Sequence, residues 1–343
     1  MGKKKLKGLH EAMLWEPQKD KRVLCLLCAR RCSIPEGQEG LCRVRVNIGG
    51  KLYTKTFGKL TAINIDPIEK KPFYHFYPGA KTLSIATFGC NFKCNFCINW
   101  KLSQEWIEET EYYSPEEIVK MANEEGCKVI AYTYNEPTML FEFAYKTGKL
   151  AHRYNIKNVF VTNGYMSLEA VKKISRVLDA AVVDVKASLD PEFYRKYMSV
   201  PDVQPIYECI KTFQRQRVFL EITNLIIPQI GDKREFNERL AEWIMNELGS
   251  DIPYHLLRFT PDYQLLNLPP TPIETLEEMI DDAKRQGLRY VYIGNVPGHE
   301  AENTYCFNCG ELLIKRHGFN VLENKLVKGR CPSCGFKINV VTD

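Results

Sequence analysis

Nowhere in these 343 residues do eighteen consecutive apolar residues occur, so the sequence offers no segment suited to crossing a bilayer as a helix. The basic start, MGKKKLKGLHEAMLWEP, lacks the apolar stretch of a secretory signal. Its sixth residue, Leu6, is not the Ser or Thr of a myristoylation signal. A large excess of one charge is also missing, because 47 Lys and Arg stand against 42 Asp and Glu for a net +5. Attraction of the whole protein to nucleic acid is therefore not implied, although a local basic patch stays open. No internal repeat and no low-complexity linker is visible. With 45% hydrophobic residues, the chain reads as a soluble, cytoplasmic globular protein with one substantial core and room for small appendages.

An even number of cysteines is lacking too. Thirteen cannot pair off completely, and a cytosolic chain would keep its thiols reduced. Their placement is informative. Eleven fall into three groups: Cys25, Cys28, Cys32 and Cys42; Cys90, Cys94 and Cys97; and Cys306, Cys309, Cys331 and Cys334. Cys127 and Cys209 stand apart in apolar contexts and read as small buried hydrophobes.

From residue 82 onward, short apolar runs alternate with helical patterns. The runs TLSIATF (82–88), KVIAYTY (128–134), NVFVTN (158–163), AAVVDVK (180–186), RVFLEIT (217–223) and YHLLRF (254–259) lack strict alternation, as expected of strands covered on both faces. Helix starts are marked by Ser114 with Pro115 and Glu117, by Ser167 ahead of a helix through Leu178, by Asp190, and by Thr271. Alternation of this kind predicts an α/β fold with parallel strands joined by crossovers. Six strands predict a partial (β/α)6 TIM-like barrel, with YVYIGN (290–295) as a possible addition. Reactive groups in such folds sit at the carboxyl ends of strands. Ahead of this core, residues 44–58 read as a hairpin turning at Gly49-Gly50, and residues 65–79 as a loop. The expected division is an N-terminal metal module, hairpin and lead-in loop over 1–80, a barrel over 81–300 and a C-terminal module over 301–343.

The loop after the first strand, GCNFKCNFC, carries three cysteines where a structural zinc site takes four ligands. His75 is the nearest histidine in sequence, so zinc stays open if folding brings that residue in. A [4Fe-4S] cluster is the other solution, with three irons on thiolates and the fourth open to a small molecule. His75 is a candidate for the mouth of the site by its place just before the cluster strand, and equally a candidate for a packing histidine.

CNFKCNFC is the C-x3-C-x2-C signature of radical S-adenosylmethionine (SAM) enzymes, with Phe96 before the third cysteine as that superfamily prefers. Together with DPIEKKPFYHFYPG and YTYNEPT, it resembles the pyruvate formate-lyase activating enzyme branch, and within it the radical SAM enzyme of the AmmeMemoRadiSam group, over nearly the whole chain. The resemblance implies reductive cleavage of SAM at a [4Fe-4S] cluster to methionine and a 5′-deoxyadenosyl radical, which abstracts hydrogen from a protein or small-molecule substrate. It also implies an electron donor such as a ferredoxin or flavodoxin. By position it implies SAM contacts at Asn135 and Glu136, where relatives carry Gly-Gly-Glu and the backbone is expected to run differently. It further implies contacts at Asn163 of VTNG, at Asp184 and Lys186 of DVK, and at Thr223.

The outer groups are read from spacing. Cys306, Cys309, Cys331 and Cys334 form two Cys-x2-Cys knuckles, each followed by a glycine, and predict a structural zinc ribbon; a rubredoxin-like iron centre uses the same ligands. Cys25, Cys28, Cys32 and Cys42 suit zinc or an auxiliary iron-sulfur cluster, with the Cys-x2-Cys knuckle favouring zinc. The competing functional reading is a metal-binding interaction protein, with structural clusters and a ribbon for RNA or a protein partner.

Overall fold

The computed structural model describes residues 8–105, 107 and 110–342; the basic N-terminal start lies outside them. All the expected strands form, including the possible seventh: Lys81–Ala86 (β1), Val129–Tyr132 (β2), Lys157–Thr162 (β3), Ala180–Lys186 (β4), Phe219–Ile226 (β5), Tyr254–Arg258 (β6) and Val291–Gly294 (β7). Four consecutive buried residues in β2 show why the strict alternation of a half-exposed strand is missing: both faces are covered. The α/β class read from the sequence is the fold the chain adopts.

Contacts divide the chain into two compact units. The first comprises residues 1–65, 82–179 and 204–218. In it, β2 pairs in parallel with β1 and with β3, Val129 lying opposite both Thr82 and Lys157. The expected hairpin forms from Arg45–Ile48 and Lys51–Thr54. Helix Pro115–Glu124 carries the full capping box, Ser114 and Glu117 each satisfying the other's backbone N–H. The helix begun at Ser167 is shorter than expected, spanning Leu168–Ile174. At its end the Ser175 hydroxyl donates to the Val171 carbonyl at 2.7 Å, the kind of local bond that competes with helix continuation.

The second unit comprises residues 66–81, 180–203 and 219–343. Here β4, β5, β6 and β7 pair in parallel in chain order. Asp190 caps helix Pro191–Met198 as expected. Thr271 does not cap helix Ile273–Arg285: its hydroxyl donates to the Ile226 carbonyl and accepts from the Phe259 N–H, tying β5 to the end of β6. The stretch 66–81 belongs here because it packs with the terminal residues. Arg316 donates to the Tyr74 carbonyl, and Tyr74, Tyr290, Tyr292, Leu313, Ile314 and Ile338 share one buried cluster. Residues 65–67, read as loop, end the strand Ala62–Pro67. The terminal sheet has three strands, Thr304–Tyr305, Leu312–His317 and Asn320–Asn324.

Candidate functional site

Strand β1 feeds directly into the loop bearing Cys90, Cys94 and Cys97, so these thiols stand at a strand's carboxyl end. Gly89 makes the approach possible. It sits at φ +85, and a Cβ there would lie 2.7 Å from Val44 Cγ1 and 2.8 Å from the Cys42 carbonyl oxygen. Cys90 is then framed by N–H donors. The Phe92 amide points at its sulfur at 3.4 Å and the Asn163 side-chain amide at 3.9 Å. Burial and the charge of Glu136 hold the Cys90 thiol well above the ordinary range, so the thiolate form requires a cationic partner in place. Unlike the terminal quartet below, the three sulfurs do not close to single-ion spacing. Three thiols without a fourth ligand, with donors aimed at sulfur, fit a cubane cluster better than one ion.

Glu136 and Asn135 lie beside this loop, but their side chains are already committed. Glu136 Oε1 accepts from the Thr138 amide at 3.1 Å, the Thr162 hydroxyl at 2.8 Å and the Thr138 hydroxyl; Oε2 accepts from the Asn163 amide at 2.8 Å. It locks the end of β2 to the end of β3 and orients Asn163. Asn135 donates to the Gly89 carbonyl at 2.8 Å and accepts from the Thr87 amide at 3.3 Å, clamping the cysteine loop from both sides. Both brace the cysteine loop and the strand ends around it. Tyr134 holds φ +67, a conformation glycine adopts freely and a tyrosine rarely does. Phe96 is buried, and Cys127 and Cys209 are buried as expected of small hydrophobes.

In the second unit, Asp184, Lys186 and Thr223 form one connected group at the ends of β4 and β5. Asp184 lies opposite Thr223 in the pairing, accepts from its hydroxyl at 2.9 Å and forms an ion pair with Lys186. The Lys186 amide donates to the Tyr194 hydroxyl at 3.1 Å, fixing the strand end.

His75 occupies the interior of the second unit rather than a mouth. It is fully buried, and its Nδ1 donates to the Asn339 carbonyl at 2.7 Å, which leaves Nε2 to accept from the Tyr292 hydroxyl at 2.6 Å. Burial lowers its pKa to about 4, so the ring is neutral. It is the packing histidine of the two readings, and it is no zinc ligand for the three-cysteine loop.

The outer cysteine groups differ from one another. The sulfurs of Cys306, Cys309, Cys331 and Cys334 all lie within 4.8 Å of each other, with Cys306–Cys334 at 3.6 Å and Cys309–Cys331 at 3.7 Å. Metal–sulfur bonds of about 2.3 Å in tetrahedral geometry put sulfurs roughly 3.8 Å apart, so this set fits a single ion. Gly310 and Gly335, both at positive φ, turn their amides back to the Cys306 and Cys331 carbonyls. Among the described residues no other group closes so tightly, and the N-terminal four do not. They line a common pocket instead.

Comparison with known proteins agrees with this arrangement. Residues 84–244 match the radical SAM superfamily. An uncharacterised protein of Methanocaldococcus jannaschii is 44% identical over 97% of this chain and 100% of that one. A putative glycyl-radical enzyme activating enzyme of the same organism is 27% identical, covering 61% of this chain and 78% of that one. A radical SAM methyltransferase from Sphaerobacter thermophilus shares the fold, with a TM-score of 0.50 at 17% identity over 64% of this chain and 68% of that one. The chain belongs to the radical SAM superfamily. Membership implies an enzyme with a [4Fe-4S] cluster and SAM. No helix among the described residues is long and apolar enough to cross a membrane.

Proposed function

We propose that this protein binds SAM at a [4Fe-4S] cluster held by Cys90, Cys94 and Cys97 and removes a hydrogen atom from its substrate, a glycine in a protein being the class its activating-enzyme relatives favour. The observation that carries this reading is a three-thiol loop at the carboxyl end of β1 with amide donors aimed at Cys90. When bound, the cluster supplies the single electron that cleaves SAM to methionine and a 5′-deoxyadenosyl radical.

The chain's own residues do the positioning. Asn135 and Gly89 fix the path of the loop, while Glu136 holds Asn163 where its amide reaches Cys90 and Asn91. Hydrogen bonds to cluster-ligating sulfur stabilise its negative charge and raise the ease of reduction. Lys186, tethered by Asp184 and Thr223, offers the cation for the SAM carboxylate. Phe96 supplies apolar bulk next to the third thiol. The C-terminal quartet holds zinc as a structural staple, and a low-potential ferredoxin or flavodoxin delivers the electron.

The test is anaerobic reduction with dithionite in the presence of SAM. Release of 5′-deoxyadenosine is expected from the wild type and is lost in Cys94→Ala. Cys309→Ala retains the product and loses stability. No product from cluster-loaded wild type overturns the proposal in favour of a metal-binding interaction protein.

A further inference from the structure

The N-terminal cysteines present a different kind of metal site from the one their Cys-x2-Cys knuckle favours. Cys25, Cys28, Cys32 and Cys42 all line one pocket that opens to solvent. Four sulfurs bound to one zinc touch one another, as the C-terminal four do at 3.6 and 3.7 Å, and leave no space between them. The N-terminal four stand further apart than that. Wider separation around a shared space is what four thiolates adopt when each binds its own corner of an iron-sulfur cube.

The pocket wall adds a second, independent observation. Two buried donors that line it have no hydrogen-bond partner: Asn91 Nδ2 and Arg45 Nε. Leaving buried donors unsatisfied is costly, above all for a charged one, so the site is built to offer them acceptors. The bridging sulfides at alternate corners of such a cube are acceptors of this kind. The Asn91 carbonyl oxygen is taken by the Asn163 amide at 2.8 Å, which leaves its amide nitrogen for the pocket. Arg45 is held by Glu142 through its two terminal nitrogens, which leaves Nε.

We infer that Cys25, Cys28, Cys32 and Cys42 hold a second, fully protein-ligated [4Fe-4S] cluster, with Asn91 and Arg45 donating to its sulfides. It neighbours the three-cysteine loop directly. The Cys42 carbonyl abuts Gly89, and Asn91, which reaches the N-terminal pocket on one side, follows Cys90 in the chain. The inference does not depend on the SAM chemistry proposed above.

The experiment is a count of metals and acid-labile sulfide on the full chain, purified without oxygen. About eight irons, eight sulfides and one zinc per chain are expected for the wild type, and about four irons and four sulfides for the Cys90→Ala/Cys94→Ala/Cys97→Ala variant. The variant, reduced with dithionite, is expected to show a cubane resonance that SAM leaves unchanged. Four irons and two zincs in the wild type, or no iron in the variant, overturn the inference. Where the variant does not fold, the wild-type count decides. Iron that is all retained in the variant supports the N-terminal cluster while removing the three-cysteine cluster, so the two readings fail separately.

Discussion

Removing the Glu142 carboxylate tests how the N-terminal region is attached. Arg45 and Glu142 are both buried, and they meet through two parallel bonds, Nη1 to Oε1 at 2.8 Å and Nη2 to Oε2 at 2.9 Å. Oε1 also accepts the Met13 amide at 2.7 Å. One side chain of helix Phe141–Ala151 thus anchors two points of the N-terminal segment. Glu142→Ala leaves a guanidinium stranded out of water, and breaking a buried pair in this way costs about 3–5 kcal/mol. At 1.36 kcal/mol per decade, amide exchange in Arg45–Ile48 is expected to accelerate by roughly two to nearly four decades, up to the limit set by global unfolding. Native-state hydrogen exchange is the suitable assay, because a metalloprotein with two compact units need not unfold in one step. Arg45→Met/Glu142→Leu removes both charges and is expected to recover most of the protection. A loss below about 1 kcal/mol in Glu142→Ala, or a double variant as exposed as the single, would refute the reasoning.

Other outcomes follow from the same contacts. His75 has a folded pKa of about 4 against an ordinary 6.5, so the unfolded chain takes up its proton first. Its contribution is complete above pH 6.5 and fades as pH falls toward 4, a change of about 3 kcal/mol at 1.36 kcal/mol per unit. Glu69, raised by burial to about 7 in the same unit, acts in the opposite sense as pH rises from 4.5, so the profile of the wild type alone is blunted. The difference between wild type and His75→Gln isolates the histidine; a difference that does not vary between pH 4 and 6.5 contradicts the neutral, buried ring. Asn163→Ala removes a donor from Cys90 and is expected to lower the reduction potential of the three-cysteine cluster, read by redox titration, with iron content preserved. An unchanged potential shows that this contact has no electronic effect. Stripping metal from the C-terminal knuckles is expected to loosen the cluster around Tyr74, Tyr292 and Leu313, seen as faster exchange in Leu312–His317 while β2 stays protected. Uniform loosening would contradict a local staple.

Much of this was legible in the sequence because its causes are local. The spacing C-x3-C-x2-C sets three thiols on one loop whatever surrounds them, and two Cys-x2-Cys turns followed by glycine make knuckles by themselves. Strands covered on both faces lose their alternation, and Ser114 and Asp190 cap helices through neighbours two or three residues away. Where a local rule misled, as at Thr271, the hydroxyl was claimed by partners 12 and 45 residues distant. Asn135 and His75 carry no local sign of being engaged, and the local cap that Glu136 makes with Thr138 does not reveal its longer-range bonds. Their partners Gly89, Thr162 and Asn339 come from the cysteine loop, from another strand and from the far end of the chain.

The sequence by itself determined the kind of chemistry, since ligand identity and short-range spacing choose thiolate metal sites and strand ends place them. Only the tertiary structure decided which polar side chains are spent on holding the site and which cysteines close on a single ion. Both depend on distances between segments far apart in the chain. Such distances are set by how buried surfaces pack and how every buried donor finds its acceptor, and no spacing along the chain encodes them.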